Sequence, residues 1–327
     1  MSNYQESNQS KKLMELNALY MDQLHSNKPL AKIQRIKEKL GQLKKIAKAF
    51  FHIPSYGIKK WILMIRVFFN KKIIQDYELQ YDFNHDYELK YVGTGKRVNG
   101  HIAVYTSIFG GYDSVLEPMF VSEKCDYYAI TDQDIPDNSV WKKMDLSHIP
   151  GFNEMDNYHK SKYCKLHPHI LFPEYEYSIW ADGNVQIVGD MVPLVDRMTD
   201  DHVMATFENP VHECIYTEEK FLIYLNAANA KQLGKQIETY KEAGFPKKFG
   251  MREFTIIVRK HNDIELCALM DEWWEHVNTY TMRDQISLPF ILWSNNKSID
   301  YIQLYPGNWR YNPRFIYSPH KWRHTFK

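Results

Sequence analysis

The residues best suited to chemistry lie in the stretch Tyr177-Ser178-Ile179-Trp180-Ala181-Asp182-Gly183-Asn184-Val185-Gln186-Ile187. An apolar run climbs to Trp180 and stops on Asp182-Gly183-Asn184, and a second short β-type run covers 185–188. A carboxylate at the end of a strand is well placed for a metal–phosphate complex. Mg²⁺ and Mn²⁺ prefer oxygen ligands, and their sites often use only one or two carboxylates because substrate phosphates complete the shell. The same residues also read as a turn. Asp-Gly and Gly-Asn are turn formers, so 181–184 could simply close a hairpin.

Elements that could position such a site flank it on both sides. Residues 101–109 form a strong strand closed by Gly110-Gly111-Tyr112-Asp113. Glycines after a strand permit close approach of backbone to a ligand, although the G-x-G-x-x-G order of a dinucleotide site is missing. Residues 125–132 form a second strand ending on Asp132, and Lys160, Lys162, Lys165, His167 and His169 cluster on a predicted helix ahead of Phe172-Pro173. Beyond Asp182 the pattern gives a strand at 204–207 and a loop at 208–216 carrying His212 and Glu213. A largely helical stretch covers 218–244, a strand 254–258 and a helix 266–276, and a last helix opens on Arg283-Asp284-Gln285. Strands alternating with helices, with polar residues at strand ends, make an open α/β sheet that binds ligands at the carboxyl edge.

Composition sets limits. The 327 residues can hold one large domain or two modest ones, and tyrosine is abundant, which suits sugar-stacking clefts and plain cores alike. The four cysteines are scattered without a C-x-x-C pair, so no zinc site or disulfide framework is expected and a reducing cytosol fits. The N-terminus lacks the apolar region of a secretory signal, and the most apolar stretch, 61–69, is too short to span a bilayer.

The net charge of +1 hides an asymmetry: from Lys28 to Lys72 every charged residue except Glu38 is Lys or Arg. Residues 1–11 are polar and expected to be disordered. Residues 12–24, 29–51 and 58–69 have helical spacing of apolar positions, with breaks at Pro54 and Gly57. A basic amphipathic helix suits an anionic membrane surface, where each Lys or Arg contributes about 1 kcal/mol. Packing against the following domain is the alternative, and a coiled coil would suffer lysine repulsion. No nucleic-acid recognition signature accompanies the charge, so no nucleic-acid partner is expected. The expected division is a helical basic region and connector over 1–98 and a catalytic domain over 99–327.

Several segments together resemble a known family. They are Tyr105-Thr106-Ser107-Ile108-Phe109-Gly110-Gly111-Tyr112-Asp113, Lys165-Leu166-His167-Pro168-His169 with Phe172-Pro173, and Tyr177 through Gly183. Cys214-Ile215-Tyr216 with Glu218, and Arg283-Asp284-Gln285-Ile286-Ser287, complete the set. In this order, over about 100–300, they resemble the glycosyltransferases catalogued as domain of unknown function 616, with plant members tied to cell-wall polysaccharides and bacterial members in surface-polysaccharide loci. The resemblance implies a GT-A-type fold, a Rossmann-like sheet with helices on both faces that binds a nucleotide sugar, UDP-sugar being the expected donor. In that fold an Asp-x-Asp element holds Mn²⁺ or Mg²⁺ against the donor diphosphate. Here the triplet is Asp182-Gly183-Asn184, with an amide as its second member, and His320 is the candidate by position for the histidine that completes such sites.

The resemblance assigns roles. Asp182 with Asn184 would carry the ion, and Lys162 or Lys165 would reach the phosphates. Thr106, Gly110, Gly111 and Asp132 would surround the nucleoside. Asp284 would position or deprotonate an acceptor hydroxyl, unless it serves only as a helix N-cap, and Gln285 would bond donor-sugar hydroxyls. His212 and Glu213 would border the acceptor cleft. The expected activity is transfer of a sugar to a glycan or lipid-linked glycan acceptor in capsule or lipopolysaccharide-type synthesis, at the cytoplasmic face of the membrane. The alternatives are a metal-independent glycoside hydrolase, with Asp182 and Asp284 or Glu253 as its carboxylates, and a non-catalytic carbohydrate-binding protein.

Overall fold

A computed structural model describes residues 2–26, 28–51, 57–76 and 95–320. Helices α1 (Ser2–Ser26), α2 (Lys28–Phe51) and α3 (Ile58–Phe69) come first. Strands β1 (Ile102–Ile108), β2 (Cys125–Thr131) and β3 (Lys142–Lys143) follow, then helices α4 (Asn157–Leu166) and α5 (Pro168–Leu171). Next are β4 (Tyr177–Ala181), β5 (Val185–Ile187), the short helix α6 (Val192–Asp196) and β6 (Met204–Glu208). Helices α7 (Ile215–Leu225) and α8 (Ala230–Glu242) precede β7 (Arg252–Arg259). Helices α9 (Ile264–Thr279) and α10 (Asp284–Ser294), then β8 (Gln303–Tyr305) and β9 (Phe315–Tyr317), complete the described chain.

The expected α/β architecture is present. One seven-stranded sheet runs in the order β3-β2-β1-β4-β7-β6-β8. Strand β1 is buried throughout because parallel neighbours flank it on both sides and apolar layers cover both faces. One layer is built by α4, α9 and α10, through Leu166, Trp273 and Leu288 among others. The other is built by α6, β9 and the segment around Trp309. Strand β7 is antiparallel between β4 and β6. After β1 the chain moves outward to β2 and β3, then returns through α4 to β4 on the other side of β1. That reversal leaves a crevice at the carboxyl ends of β1 and β4, where ligands of open α/β sheets bind.

The turn at Asp182 does not close a hairpin. Strand β4 pairs with β1 and β7, whereas β5 leaves the sheet and pairs antiparallel with β9. Gly183 is needed there, since a Cβ would stand 2.6 Å from Ile108 Cγ1. The turn is thus pressed against the end of β1.

The N-terminal region departs from expectation in part. Helix α1 begins at Ser2, where disorder was expected. Its Met14, Ala18 and Met21 are buried, and Asn17 Nδ2 donates to the carbonyls of Pro313 and Phe315, both at 3.0 Å. Helix α3 buries Met64 and Val67, and its Lys60 Nζ donates to Asn226 Oδ1 at 2.6 Å. Asp76 then accepts from the amides of Glu213 and Cys214 and from Thr217 Oγ1. It thereby ties the segment leading into α7 to the chain end of the N-terminal region, while the helix's own N-cap residue, Cys214, makes no capping bond. Helix α2 differs: Ile36, Leu40, Leu43 and Phe50 remain about half exposed. Pro54 and most of the predicted connector lie outside the described residues. No helix among the described residues is long and apolar enough to cross a membrane.

Candidate active site

A cavity of about 240 Å³ opens at the β1/β4 crevice, lined by Ser107, Lys162, Lys165, Asp182, Asp284 and His320 among others. A roomier hollow of about 540 Å³ lies around Tyr177, Val203 and Lys260, at the amino ends of the parallel strands. The first holds the chemistry.

Helix α4 supplies its cations. Asp156 caps the helix by accepting from the amides of Tyr158 and His159 at 2.9 and 2.8 Å. At the other end Arg259, fully buried, donates through Nη1 to the Lys165 carbonyl at 2.8 Å. A cation beside the last carbonyls of a helix is favourable, and this contact fixes the backbone of Lys165. Its Nζ lies 2.7 Å from Asp284 Oδ2 and 3.3 Å from Asp182 Oδ1. Lys162 Nζ reaches the same Asp284 oxygen at 2.9 Å. Trp180 Nε1 donates to Asp182 Oδ1 at 2.7 Å, and Lys165 Nζ stands 5.6 Å from the Trp180 ring centroid.

Charge decides the protonation states. Burial alone would raise the pKa of Asp284, but the charges of Lys162 and Lys165 and their hydrogen bonds outweigh it and hold the carboxyl well below the usual carboxylate range. Burial alone would lower the pKa of Lys165, yet Asp182 and Asp284 raise it. Asp284 therefore stays ionised and is a poor proton acceptor. It begins α10, with Arg283 at the N-cap position, so it is not the helix N-cap. Its side chain holds two ammonium groups in place.

The sequence-derived candidates divide. Asp182, Lys162, Lys165, Asp284, Gln285 and His320 line one cavity, and Asn184 adjoins it through His320. Thr106 does not face it. Side chains alternate along a strand, so Thr106 shares the Ile102 and Val104 face, while Ser107 faces the cavity. Gly110, Gly111 and Asp132 are outside the lining: the Gly110 amide donates to Asp132 Oδ2 at 2.8 Å, tying the ends of β1 and β2 together. At Gly110, φ is +64° and a Cβ would collide with the Asn157 side chain. His212 is buried between the Ile74 carbonyl and Glu218, and Glu213 pairs with exposed Lys248, so neither reaches the cavity; Glu218 does. His167 stacks on Tyr163 away from the site, its pKa lowered to about 4 by burial. Ser161 and Tyr158 were not singled out in the sequence, and Arg283 and Asp113 stood in its motifs without an assigned role, yet all four line the cavity.

The donor set for a divalent ion can be tested against this geometry. Both contacts of Asp182 use Oδ1, which leaves Oδ2 as the oxygen that can turn to a cation. Asn184 Nδ2 lies 3.3 Å from His320 Nε2, so an amide and an imidazole adjoin the same turn. Among the described residues no group of three or more His, Cys, Asp and Glu side chains could hold a metal by itself. In donor type, one carboxylate, one imidazole and the Asn184 amide, once turned to present its oxygen, suit an ion whose remaining ligands are substrate phosphates.

Residues 84–308 match the family described as TOD1/MUCI70, glycosyltransferase-like domain. The chain is similar to a probable hexosyltransferase, MUCI70, of Arabidopsis thaliana: 25% identical over 222 residues, covering 57% of this chain and 36% of that protein. It is also similar to the alkaline ceramidase TOD1 of Arabidopsis thaliana: 23% identical over 230 residues, covering 58% and 48%. The chain thus spans less than half the length of either relative. Among solved structures, the apo WbbM bifunctional glycosyltransferase aligns at a TM-score of 0.41 and 15% identity, over 64% of this chain and 39% of that one. The galactosyltransferase LgtC with donor and acceptor sugar analogs aligns at 0.34 and 12%, over 62% and 72%.

Proposed function

The chain belongs to the TOD1/MUCI70 glycosyltransferase-like domain family, and on that premise we propose that it transfers a hexose or related sugar from a nucleotide-sugar donor to a glycan acceptor. The observation that carries this reading is the pair of lysines held by Asp284 beside Asp182, at the crevice where the strand order reverses. Departure of a nucleoside diphosphate builds negative charge on phosphate oxygens, and preformed cations lower that barrier. An ammonium group has three donors. Lys165 gives two to Asp284 and Asp182, so one remains for a phosphate, and Lys162 keeps two. A Mn²⁺ or Mg²⁺ ion, when bound by Asp182, Asn184 and His320, would polarise the diphosphate as a Lewis acid. Gln285, which lines the cavity, would bond donor-sugar hydroxyls. Asp284 acts on the lysines rather than as the base.

A glycoside hydrolase is poorly served by the same site. It needs a carboxylic acid with a raised pKa facing a second carboxylate. Asp284 is shifted the opposite way, and Glu253 is paired with Arg310 at 2.6 Å. Calorimetric titration of the full chain with UDP, GDP, CDP and their sugar conjugates, with Mn²⁺ and then with EDTA, tests the transferase reading. One nucleotide is expected to bind, more tightly with Mn²⁺, and its sugar conjugate to be consumed only with a glycan acceptor. Folded protein that binds no nucleotide in either condition would refute it. A UDP-sugar is the proposed donor, and a capsule or lipopolysaccharide-type glycan, free or lipid-linked, the proposed acceptor.

The proposed place of work is the cytoplasmic membrane face, reached through α2. Its exposed Leu40 and Phe50 share a helix with lysines at 37, 39, 44, 45 and 48, the pattern of a helix lying in an anionic interface. Helix α1 packs on the catalytic domain, so point changes are cleaner than truncation. The double variant Leu40→Asp, Phe50→Asp is expected to stop cosedimenting with anionic vesicles while keeping its thermal midpoint. If it pellets like the parent chain, α2 is not the anchor.

A further inference from the structure

The tail of the described chain crosses the site by a specific route. Strand β9 pairs with β5, Val185 opposite Tyr317, and the Ser318 amide then donates to the Asn184 carbonyl at 2.9 Å. That ladder returns the chain over the Asp182–Asn184 turn and delivers His320. The ring meets Tyr112, with centroids 5.0 Å apart, and its Nδ1 lies 2.7 Å from Asp113 Oδ2. Asp113 is buried and ends the Gly110-Gly111-Tyr112-Asp113 turn after β1. A carboxylate from the turn after the first strand therefore grips a histidine just beyond the last one.

We propose that Asp113 is a positioning residue for the divalent cation, acting through His320. With a hydrogen on Nδ1 donated to the carboxylate, Nε2 keeps its lone pair. That nitrogen is the one that meets Asn184. An asparagine amide can present either its NH₂ or its oxygen at the same place. Turned, Asn184 sets Oδ1 beside Nε2, and both become ligands next to Asp182. Metal-bound histidines generally donate their other ring nitrogen to a carboxylate or carbonyl, which fixes the tautomer and orientation and makes the ligating nitrogen more basic. Asp113 stands where that partner belongs. The inference rests on the cation of the proposed transferase, but not on its sugar donor.

The test counts Mn²⁺ bound by the full chain without nucleotide, from loss of the EPR signal of the hydrated ion. Asp113→Ala is expected to weaken Mn²⁺ binding about 10- to 100-fold, the usual cost of losing such a partner. Asp113→Asn, whose side-chain carbonyl still accepts from Nδ1–H, is expected to recover part of that loss and guards against a folding defect in the alanine variant. His320→Ala should weaken binding at least as much, and the Asp113→Ala, His320→Ala double variant no further, because Asp113 works through the ring. Unchanged Mn²⁺ affinity in both Asp113 variants, additive losses in the double variant, or a parent chain that takes up no Mn²⁺ would each overturn the proposal. Nucleotide titration of the same samples separates the two readings. Mn²⁺ bound in the expected pattern with no nucleotide binding sinks the transferase and leaves the role of Asp113 standing; nucleotide binding without Mn²⁺ does the reverse.

Discussion

Asp284→Ala is expected to destabilise the domain by about 3–5 kcal/mol, the range for removing one partner of a buried ion pair, and to abolish transfer. In the parent chain one carboxylate oxygen meets Lys162 at 2.9 Å and Lys165 at 2.7 Å. Its removal takes the shared carboxylate from two largely buried ammonium groups, with Asp182 left at 3.3 Å from Lys165. Desolvated charge without a partner is among the costliest changes a core can suffer. The pH dependence has a definite sign. The folded carboxyl titrates below its unfolded value, so its contribution is present above about pH 4 and fades as pH falls toward the depressed folded value. Lys165 is shifted upward, so its contribution is full below its unfolded value of about 10.4 and is lost only as pH rises through the folded one. Parent and variant should therefore differ by a constant amount between about pH 5 and 9 and converge in acid. Denaturant midpoints across that range check this. A difference under about 1 kcal/mol at pH 7, the worth of an exposed pair, would mean that Asp284 does not hold the lysines.

Asp182 was legible in the sequence because its signal is local: an apolar strand ending on an acid and a glycine. What it would pair with was not. The Lys162–Asp284 contact spans 122 positions and depends on how α4 and α10 pack on the sheet, which no periodicity records. The same limit made 181–184 readable as a hairpin, since turn chemistry says nothing about whether the next strand pairs locally or, as β5 does, with a tail about 130 residues on. Strand β1 shows a second limit. Buried on both faces, it carries no polar–apolar alternation to reveal that Ser107, and not Thr106, meets the cavity. His320 was legible by position only. Its grip on Asp113 exists because β9 returns along β5.

Asp182→Asn is expected to fold like the parent chain and to lose about 10²–10³-fold in kcat/KM, the scale for removing one preorganised charge-stabilising group. The substitution keeps an oxygen that can accept from Trp180 Nε1, which donates to Asp182 Oδ1 at 2.7 Å, so the strand end should hold its shape. What goes is the negative charge. That charge faces Lys165 and, on the proposed reading, the cation against the donor diphosphate, with an amide already standing at position 184. Two amides and one imidazole bind Mn²⁺ or Mg²⁺ far more weakly than a set with a carboxylate, because these hard ions favour anionic oxygen. The loss should therefore shrink at high Mn²⁺ concentration, whereas a change in acceptor binding would not respond to metal. Initial rates against Mn²⁺ concentration for both proteins separate the two cases. Activity within tenfold of the parent at limiting Mn²⁺ would remove Asp182 from the metal site and leave the two lysines as the groups that stabilise the leaving diphosphate.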